Sequence, residues 1–170
     1  MTHSFLRPVG ALILVSLLAL LGACAGPAFK PGVSSEEDVL RQWGPPAQRW
    51  QEPDGGQRLV YPHGPLGYIT WMVVVGPDGR FRSATNVLTE DEFIKVRAGD
   101  SQEQILRRFG PPSWVQHFDS RNELVWEWRY CNQWTNPARF DVLFDSTTGL
   151  VRSTLQLEEA RGRFSGFCSS

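Results

Sequence analysis

The side chains that could do chemistry in this chain are few, and most lack the neighbours that chemistry requires. Three histidines occur, and His63 and His117 have no cysteine, histidine or acid near them at metal-ligand spacing. No nucleophile elbow, phosphate-binding loop, zinc-protease helix or dinucleotide fingerprint is present. A catalytic cysteine needs a base that holds its thiolate, and the sequence marks none. We therefore predict no catalytic residue, cofactor, metal or small-molecule substrate, and a hydrolase or carbohydrate-active enzyme remains an alternative without a motif.

Cys24 follows a stretch that predicts export. The apolar run Val9–Leu21 comes after Arg7; it is too short to span a bilayer, which takes about 20 residues, but fits the core of a signal peptide. The segment Leu21-Gly22-Ala23-Cys24 resembles a bacterial lipobox, in which the signal is cut before the cysteine and that cysteine is acylated. We expect residues 1–23 to be a signal peptide, Cys24 to carry lipid, and residues 24–31 to form a linker. The alternative is an ordinary secreted protein with a chance cysteine after its cleavage site.

The lipobox resemblance also implies a location. Several acyl chains hold a protein firmly on a membrane where a single chain does not. In the sorting of such lipoproteins, a residue other than Asp after the acylated cysteine implies the outer membrane, and Ala25 stands there. We expect the protein to be anchored in a bacterial outer membrane and to face the periplasm. Its net charge of −1 and the lack of a basic stripe argue against a nucleic-acid partner.

Cys131 and Cys168 are the remaining cysteines. In the oxidising cell envelope, two cysteines of an exported domain are typical of a disulfide, which here would pin the tail to a strand. Free thiols or pairing with another protein are the alternatives.

An internal repeat indicates the architecture. The segment Ser35–Pro46 aligns with Ser101–Pro112 at a constant offset, so that Gly44 corresponds to Gly110. Each copy begins with a serine that can cap a helix, continues with apolar residues at helical spacing, and ends in Gly-Pro, which stops a helix. Each copy therefore predicts a short amphipathic helix.

Four strands are predicted after each helix. They cover Ala47–Gln51, Gln57–Pro62, Tyr68–Val75 and Arg80–Leu88 in the first unit, and Ser113–Phe118, Glu123–Cys131, Ala138–Asp145 and Leu150–Leu157 in the second. A capping box at Thr89–Glu92 predicts a further helix to about Val96. The chain is therefore predicted to be α+β, with two tandem helix–four-strand units at 32–88 and 89–158, helices on one face of each antiparallel sheet, abutting sheets that share a core, and a tail at 159–170.

The strand Glu123–Cys131 separates aromatic from charged side chains. Trp126, Trp128 and Tyr130 alternate on one face, which is typical either of a core under helices or of a carbohydrate-stacking platform, and we favour the core. The opposite face carries mixed charges on two neighbouring strands, and these form either a solvated ladder of cross-strand pairs or a binding surface. The candidate interaction residues are Glu127, Arg129, Arg139 and Asp141.

The segment Phe93–Pro112 resembles the opening of the BamE-like family of small outer-membrane lipoproteins: a short helix, a Gly and polar cap, a helix ending in Gly-x-Pro, and then strands. The tandem arrangement is similar to the β-lactamase-inhibitory-protein fold, which doubles this unit and whose partners dock on the sheet face away from the helices. The resemblance implies an envelope lipoprotein with a scaffold or binding role and an envelope protein as partner. An inhibitor that plugs an enzyme with a projecting loop, at residues 62–67 or 133–137, is the alternative.

Overall fold

A computed structural model describes residues 29–64, 67–159 and 168. The predicted signal peptide, Cys24 and most of the tail lie outside the described residues. The elements are α1 (Glu36–Trp43), β1 (Gln48–Gln51), β2 (Gln57–Pro62), β3 (Thr70–Val75), β4 (Phe81–Asn86), α2 (Glu90–Phe93), α3 (Gln102–Phe109), β5 (Trp114–Phe118), a 3₁₀ turn (Asp119–Arg121), β6 (Glu123–Cys131), β7 (Pro137–Asp145) and β8 (Val151–Glu158). Within these described ranges, no helix is long and apolar enough to cross a membrane.

The two repeated helices form as the sequence predicts. The Ser35 side chain accepts a hydrogen bond from the Asp38 backbone, and the Asp38 side chain accepts from the Ser35 backbone; Ser101 and Gln104 repeat this arrangement in α3. Each reciprocal pair satisfies backbone donors that the first helical turn leaves free. Gly44 and Gly110 follow the helices with φ near +75° (76° and 74°), a conformation that costs glycine little.

The helix between the repeats differs from its prediction. It covers only Glu90–Phe93, and Thr89 makes no side-chain cap hydrogen bond. The Glu92 carboxylate, which the predicted capping box needs, instead forms ion pairs with Lys95 and Arg108. The predicted box at Thr89 is therefore wrong because a tertiary pairing takes its acceptor.

The strands form two four-stranded antiparallel sheets, ordered β1-β2-β3-β4 and β5-β6-β7-β8. The mixed α+β class and the two tandem units agree with the prediction, although helix is a small part of the described chain. Each sheet has a bulge near the start of its fourth strand, where Arg82 in β4 and Arg152 in β8 are the extra residues.

Each sheet packs one face against its own helices. In the first unit, Val39 and Trp43 of α1 pack against β2, β3 and β4. In the second unit, Phe93 of α2 stacks on Phe140 with ring centroids 3.9 Å apart, and Phe109 of α3 contacts Trp128 at 5.6 Å. The aromatic face of β6 is therefore core, as we favoured, and not an exposed platform.

The first unit has a core cluster of its own under α1, and a second cluster joins Val60 and Met72 of the first sheet to the second unit. A helix end lies between the sheets at this junction. A Cβ placed on Gly110 would come within 2.6 Å of Val60 Cγ1 in the first sheet, while the Gly110 carbonyl accepts a 3.3 Å hydrogen bond from Trp128 Nε1 in the second. The Arg107 guanidinium lies 4.5 Å from the ring centroid of Trp50. The expectation that the sheets simply abut is corrected here, because the free face of the first sheet meets the second unit's helix.

Candidate functional site

The candidate site is the face of the second sheet that points away from α2 and α3, which we call the outer face. Register pairing places on it side chains from all four strands of this sheet. They include Trp114, Gln116, Val125, Glu127, Arg129, Arg139, Asp141, Leu143, Ser153, Leu155 and Leu157, with Glu123 and Asp145 at one end of the face. The four predicted interaction residues all lie here, because strand periodicity alternates side chains between faces.

Two of the predicted residues form a cross-strand ion pair near the centre of the outer face. Arg139 Nη1 donates to Glu127 Oε2 at 3.0 Å. Pairs of this kind at a surface contribute at most about 1 kcal/mol, so this pair accounts for little of the stability.

Arg129 is engaged within the molecule. Its guanidinium forms two hydrogen bonds with the Glu159 carboxylate, at 2.6 and 2.7 Å, and donates to Tyr68 Oη at 2.7 Å. It also lies 4.6 Å from the centroid of the Tyr68 ring, and the Glu159 hydrogen bond is the main cause of its raised pKa. Arg129 therefore joins the first unit, β6 and the end of β8, and it is less available to a partner than its sequence position suggests.

Asp141 is the unusual member of the group. It is only 9% exposed, and its Oδ1 has no hydrogen-bond partner among the residues that the structure describes. Loss of solvation, with the neighbouring Glu127 carboxylate as a further cause, raises its pKa to about 6 although Arg139 opposes the shift. A buried carboxylate without full hydrogen bonding destabilises a fold, so this position is not optimised for stability.

Apolar side chains surround these charges. Trp114 is 62% exposed, Leu155 48% and Leu157 42%. A depression of about 140 Å³ is lined by Trp114, Gln116, Val125, Glu127 and Arg139. A group of exposed large apolar side chains is one feature of protein-binding surfaces.

The exposure of these apolar residues on the outer face was not predicted from the sequence. Plain alternation along β8 would put Leu155 and Leu157 on the same face as the buried Val151, but the bulge at Arg152 shifts them to the outer face. The prediction for Trp114 gives its strand and no face. The available sequence signal is the segment WVQHF, which lacks a clear apolar alternation; in the structure nearly the whole strand is exposed.

The predicted cysteine pair is a disulfide in the structure. Cys131 and Cys168 have Cα atoms 5.8 Å apart, and the Cys168 backbone donates to the Thr135 carbonyl at 3.1 Å. Thus the end of the chain returns to the β6–β7 connection. That connection also carries Trp134, which is 70% exposed.

No group of three or more potential metal ligands lies together among residues 29–64, 67–159 and 168. His117 is on the exposed edge strand β5 and His63 follows β2. The described outer face presents an ion pair and exposed apolar side chains.

Comparison with known proteins adds one distant similarity. No protein-family model matches the chain, and no curated protein matches it. Among solved structures, it is similar to a "putative beta-lactamase inhibitor protein" from Streptococcus mutans, with 16% identity and a TM-score of 0.32 over 72% of this chain and 82% of that one. At this level of similarity neither residues nor activity can be carried over.

Proposed function

We propose that the protein is a non-catalytic binding protein of the bacterial envelope, held on the outer membrane by acylated Cys24, that docks a partner protein on the outer face. The observation that carries this proposal is a sheet face that no described helix covers, with exposed Trp114 and Leu155 around Asp141, which is buried and incompletely hydrogen-bonded within the described residues.

The packing between the two units supports docking on the outer face. The corresponding face of the first sheet includes Trp50, Val60 and Met72, and it is covered by the second unit's helices. The outer face of the second sheet has the same place in its unit and, within the described residues, no helix against it. The fold therefore already contains one example of this face binding a neighbouring domain.

Asp141 gives a second line of support. Residues that destabilise a fold while facing a surface are common where binding, not stability, is selected. A partner that supplies the missing hydrogen bond to Oδ1 recovers part of that loss on binding, which adds affinity at this position.

The proposed acyl anchor explains how a modest surface could suffice. Attachment to the same membrane as the partner makes docking effectively intramolecular, so weak contacts give substantial occupancy. The Cys24→Ser variant should therefore no longer be found in the membrane fraction, and it should also lose contact with the partner. If this variant stays with the membranes as the wild type does, the acyl anchor is refuted.

Site-specific photo-crosslinking tests the docking face. A photoreactive amino acid at Leu155 should form a discrete protein adduct in intact cells, whereas the same group at Ile94, which is 65% exposed directly after α2 in the same unit, should not. Adding Leu157→Arg to the Leu155 probe should remove the adduct, because a charge in an apolar contact opposes docking. Equal adducts from both probe positions would refute the outer face as the docking site.

An inhibitor-type module is the second candidate, and Trp134 favours it. This side chain is 70% exposed on the connection between β6 and β7, beside the disulfide that steadies the loop; the other candidate loop includes residues outside the described ranges. Trp134→Ala should abolish inhibition of a β-lactamase, the enzyme that the sequence resemblance nominates, while Trp114→Ala should retain it. Absence of inhibition by the wild-type protein rules out this target.

A further inference from the structure

We propose that the depression beside Trp114 receives a basic side chain of the partner protein, an arginine or lysine, between the indole ring and the Glu127 and Asp141 carboxylates. The inference rests on the proposed docking function and specifies the chemistry of the partner.

The fold itself provides two precedents for this kind of contact. Arg107 of the second unit lies over Trp50 of the first sheet at 4.5 Å, and Arg129 lies over Tyr68 at 4.6 Å. In both cases a guanidinium on one unit joins an aromatic ring on the other. Attraction between a cation and the face of an aromatic ring is strongest for tryptophan, and Trp114 presents such a ring to solvent.

The charges in and beside the depression favour a cation: Glu127 and Arg139 line it, and Asp141 lies next to Glu127 outside the lining. Glu127 and Asp141 are directly opposite each other on β6 and β7, and Arg139 is the described cation that faces both. The neighbouring strands contribute Trp114 and Gln116 from β5 and Leu155 from β8, which carry no charge. Further along the face, Arg129 is paired with Glu159. Two carboxylates against one guanidinium leave an excess negative charge, which attracts a basic group and repels an acidic one.

The incomplete hydrogen bonding of Asp141 also favours a cation from the partner. Asp141 is about nine-tenths buried and its Oδ1 has no partner in the described part of the chain, so covering it with an apolar surface would leave an unsatisfied carboxylate in a dry interface. A donor from the partner meets this need. A cation also favours the ionised form of Asp141, whose pKa is about 6, so binding should strengthen as the pH rises through that value.

Titration with arginine derivatives tests the inference without requiring the natural partner. The probe is N-acetyl-arginine amide, and the control is N-acetyl-citrulline amide, which has similar shape and no charge. The signal is the Trp114 indole N–H resonance of the ¹⁵N-labelled mature protein, assigned with Trp114→Phe. We expect a saturable shift with the arginine compound that is about fivefold weaker with citrulline, as expected for one cation–aromatic contact, and weaker at pH 5 than at pH 8.

Variants locate the effect. Asp141→Asn and Glu127→Gln should each weaken the arginine titration at pH 8, and Asp141→Asn should flatten its pH dependence. Trp134→Ala, which removes an exposed tryptophan outside the outer face, should change neither the strength of the arginine titration nor its pH dependence. The far-ultraviolet circular dichroism spectrum of each variant shows whether it is folded.

Two results would overturn the inference. One is an equal shift with arginine and citrulline, or none with either. The other is an arginine response that appears only in the double variant Arg161→Gln/Arg163→Gln. These two arginines belong to the tail at 159–170, so this result would mean that the chain's own tail, and not a partner, supplies the cation. If the titration gives one of these results, a Leu155 crosslink in cells would still support the docking function. If the titration is positive but Leu155 forms no crosslink, the cation site is retained and the docking function is refuted.

Discussion

At the scale of single residues, Asp141 and Asp145 lie four positions apart on β7, and their carboxyl pKa values are shifted in opposite directions. Burial raises the pKa of Asp141 to about 6. Hydrogen bonds from the Thr148 backbone and the Arg152 side chain, the two largest causes, lower the pKa of Asp145 to about 2. The first carboxylate destabilises the folded state when ionised, and the second stabilises it.

The Asp141→Asn variant should be more stable than the wild type at pH 8. Above pH 6 the carboxylate is ionised in both states and only the folded state bears the burial cost; below about pH 4 it is protonated in both and the cost disappears. A pKa near 6 implies a gain of about 1–3 kcal/mol at pH 8. Urea unfolding at pH 8 and pH 4 measures it, and a gain that does not shrink at the lower pH would contradict this account.

Asp145→Asn should show the opposite sign. Its folded pKa of about 2 lies below the ordinary value of 3.8, so its stabilising contribution is present above pH 4 and is lost as the pH falls toward 2. The variant should have a lower urea midpoint at pH 7, with a difference from wild type that narrows in acid. A gain in stability would show that its hydrogen bonds in the turn contribute nothing.

At the scale of elements, the repeated helices depend on their caps, and the intervening helix does not. Ser101→Ala should lower the free energy of unfolding by about 1 kcal/mol, because it removes an acceptor for a free backbone donor. Thr89→Ala is the matched control: Thr89 occupies the same position at α2 but makes no cap hydrogen bond, so its effect should be smaller. Thermal unfolding of both variants measures the difference, and equal losses would contradict the distinction.

The disulfide between β6 and the tail closes a long loop. The cysteines are 37 residues apart, for which the chain-entropy relation gives about 3–4 kcal/mol of stabilisation. The double variant Cys131→Ser/Cys168→Ser should lose a comparable free energy of unfolding. Reductant should bring the wild type to the variant's melting temperature and leave the variant unchanged; a wild type insensitive to reductant would refute the contribution.

Local patterns in the sequence predicted these elements well, and the limits of that prediction have physical causes. Ser101 and Gly110 mark the ends of α3 because caps depend only on nearby residues. The face of Leu155 depends on one extra residue in β8, which changes no local propensity. The engagement of Arg129 depends on Tyr68, 61 positions away, and no pattern within a strand reports such a contact.

At the scale of the whole molecule, the junction between units depends on Gly110. Gly44 and Gly110 have nearly the same φ, at +76° and +74°, but a Cβ at Gly44 would meet nothing within 4 Å while one at Gly110 would lie 2.6 Å from Val60 Cγ1. Alanine at either position meets similar backbone strain. Only alanine at Gly110 also pushes the two units apart.

Gly110→Ala should therefore be more destabilising than Gly44→Ala by about 1–3 kcal/mol, the range for inserting a group into a packed contact. Chemical denaturation of the two variants measures the difference directly. Similar values would mean that the junction is loose enough to accept a methyl group, and the shared core would then contribute less than its burial suggests.

The stacking of one unit's helix on the preceding unit's sheet has an implication for how such proteins arise. An arrangement in which every unit offers the same side to its successor can lengthen by gene duplication, since each added copy meets a surface of a familiar kind. The last unit in any such series retains an unused receptor surface. Specificity for an outside molecule could then evolve by altering a handful of strand residues there, without redesign of the scaffold beneath.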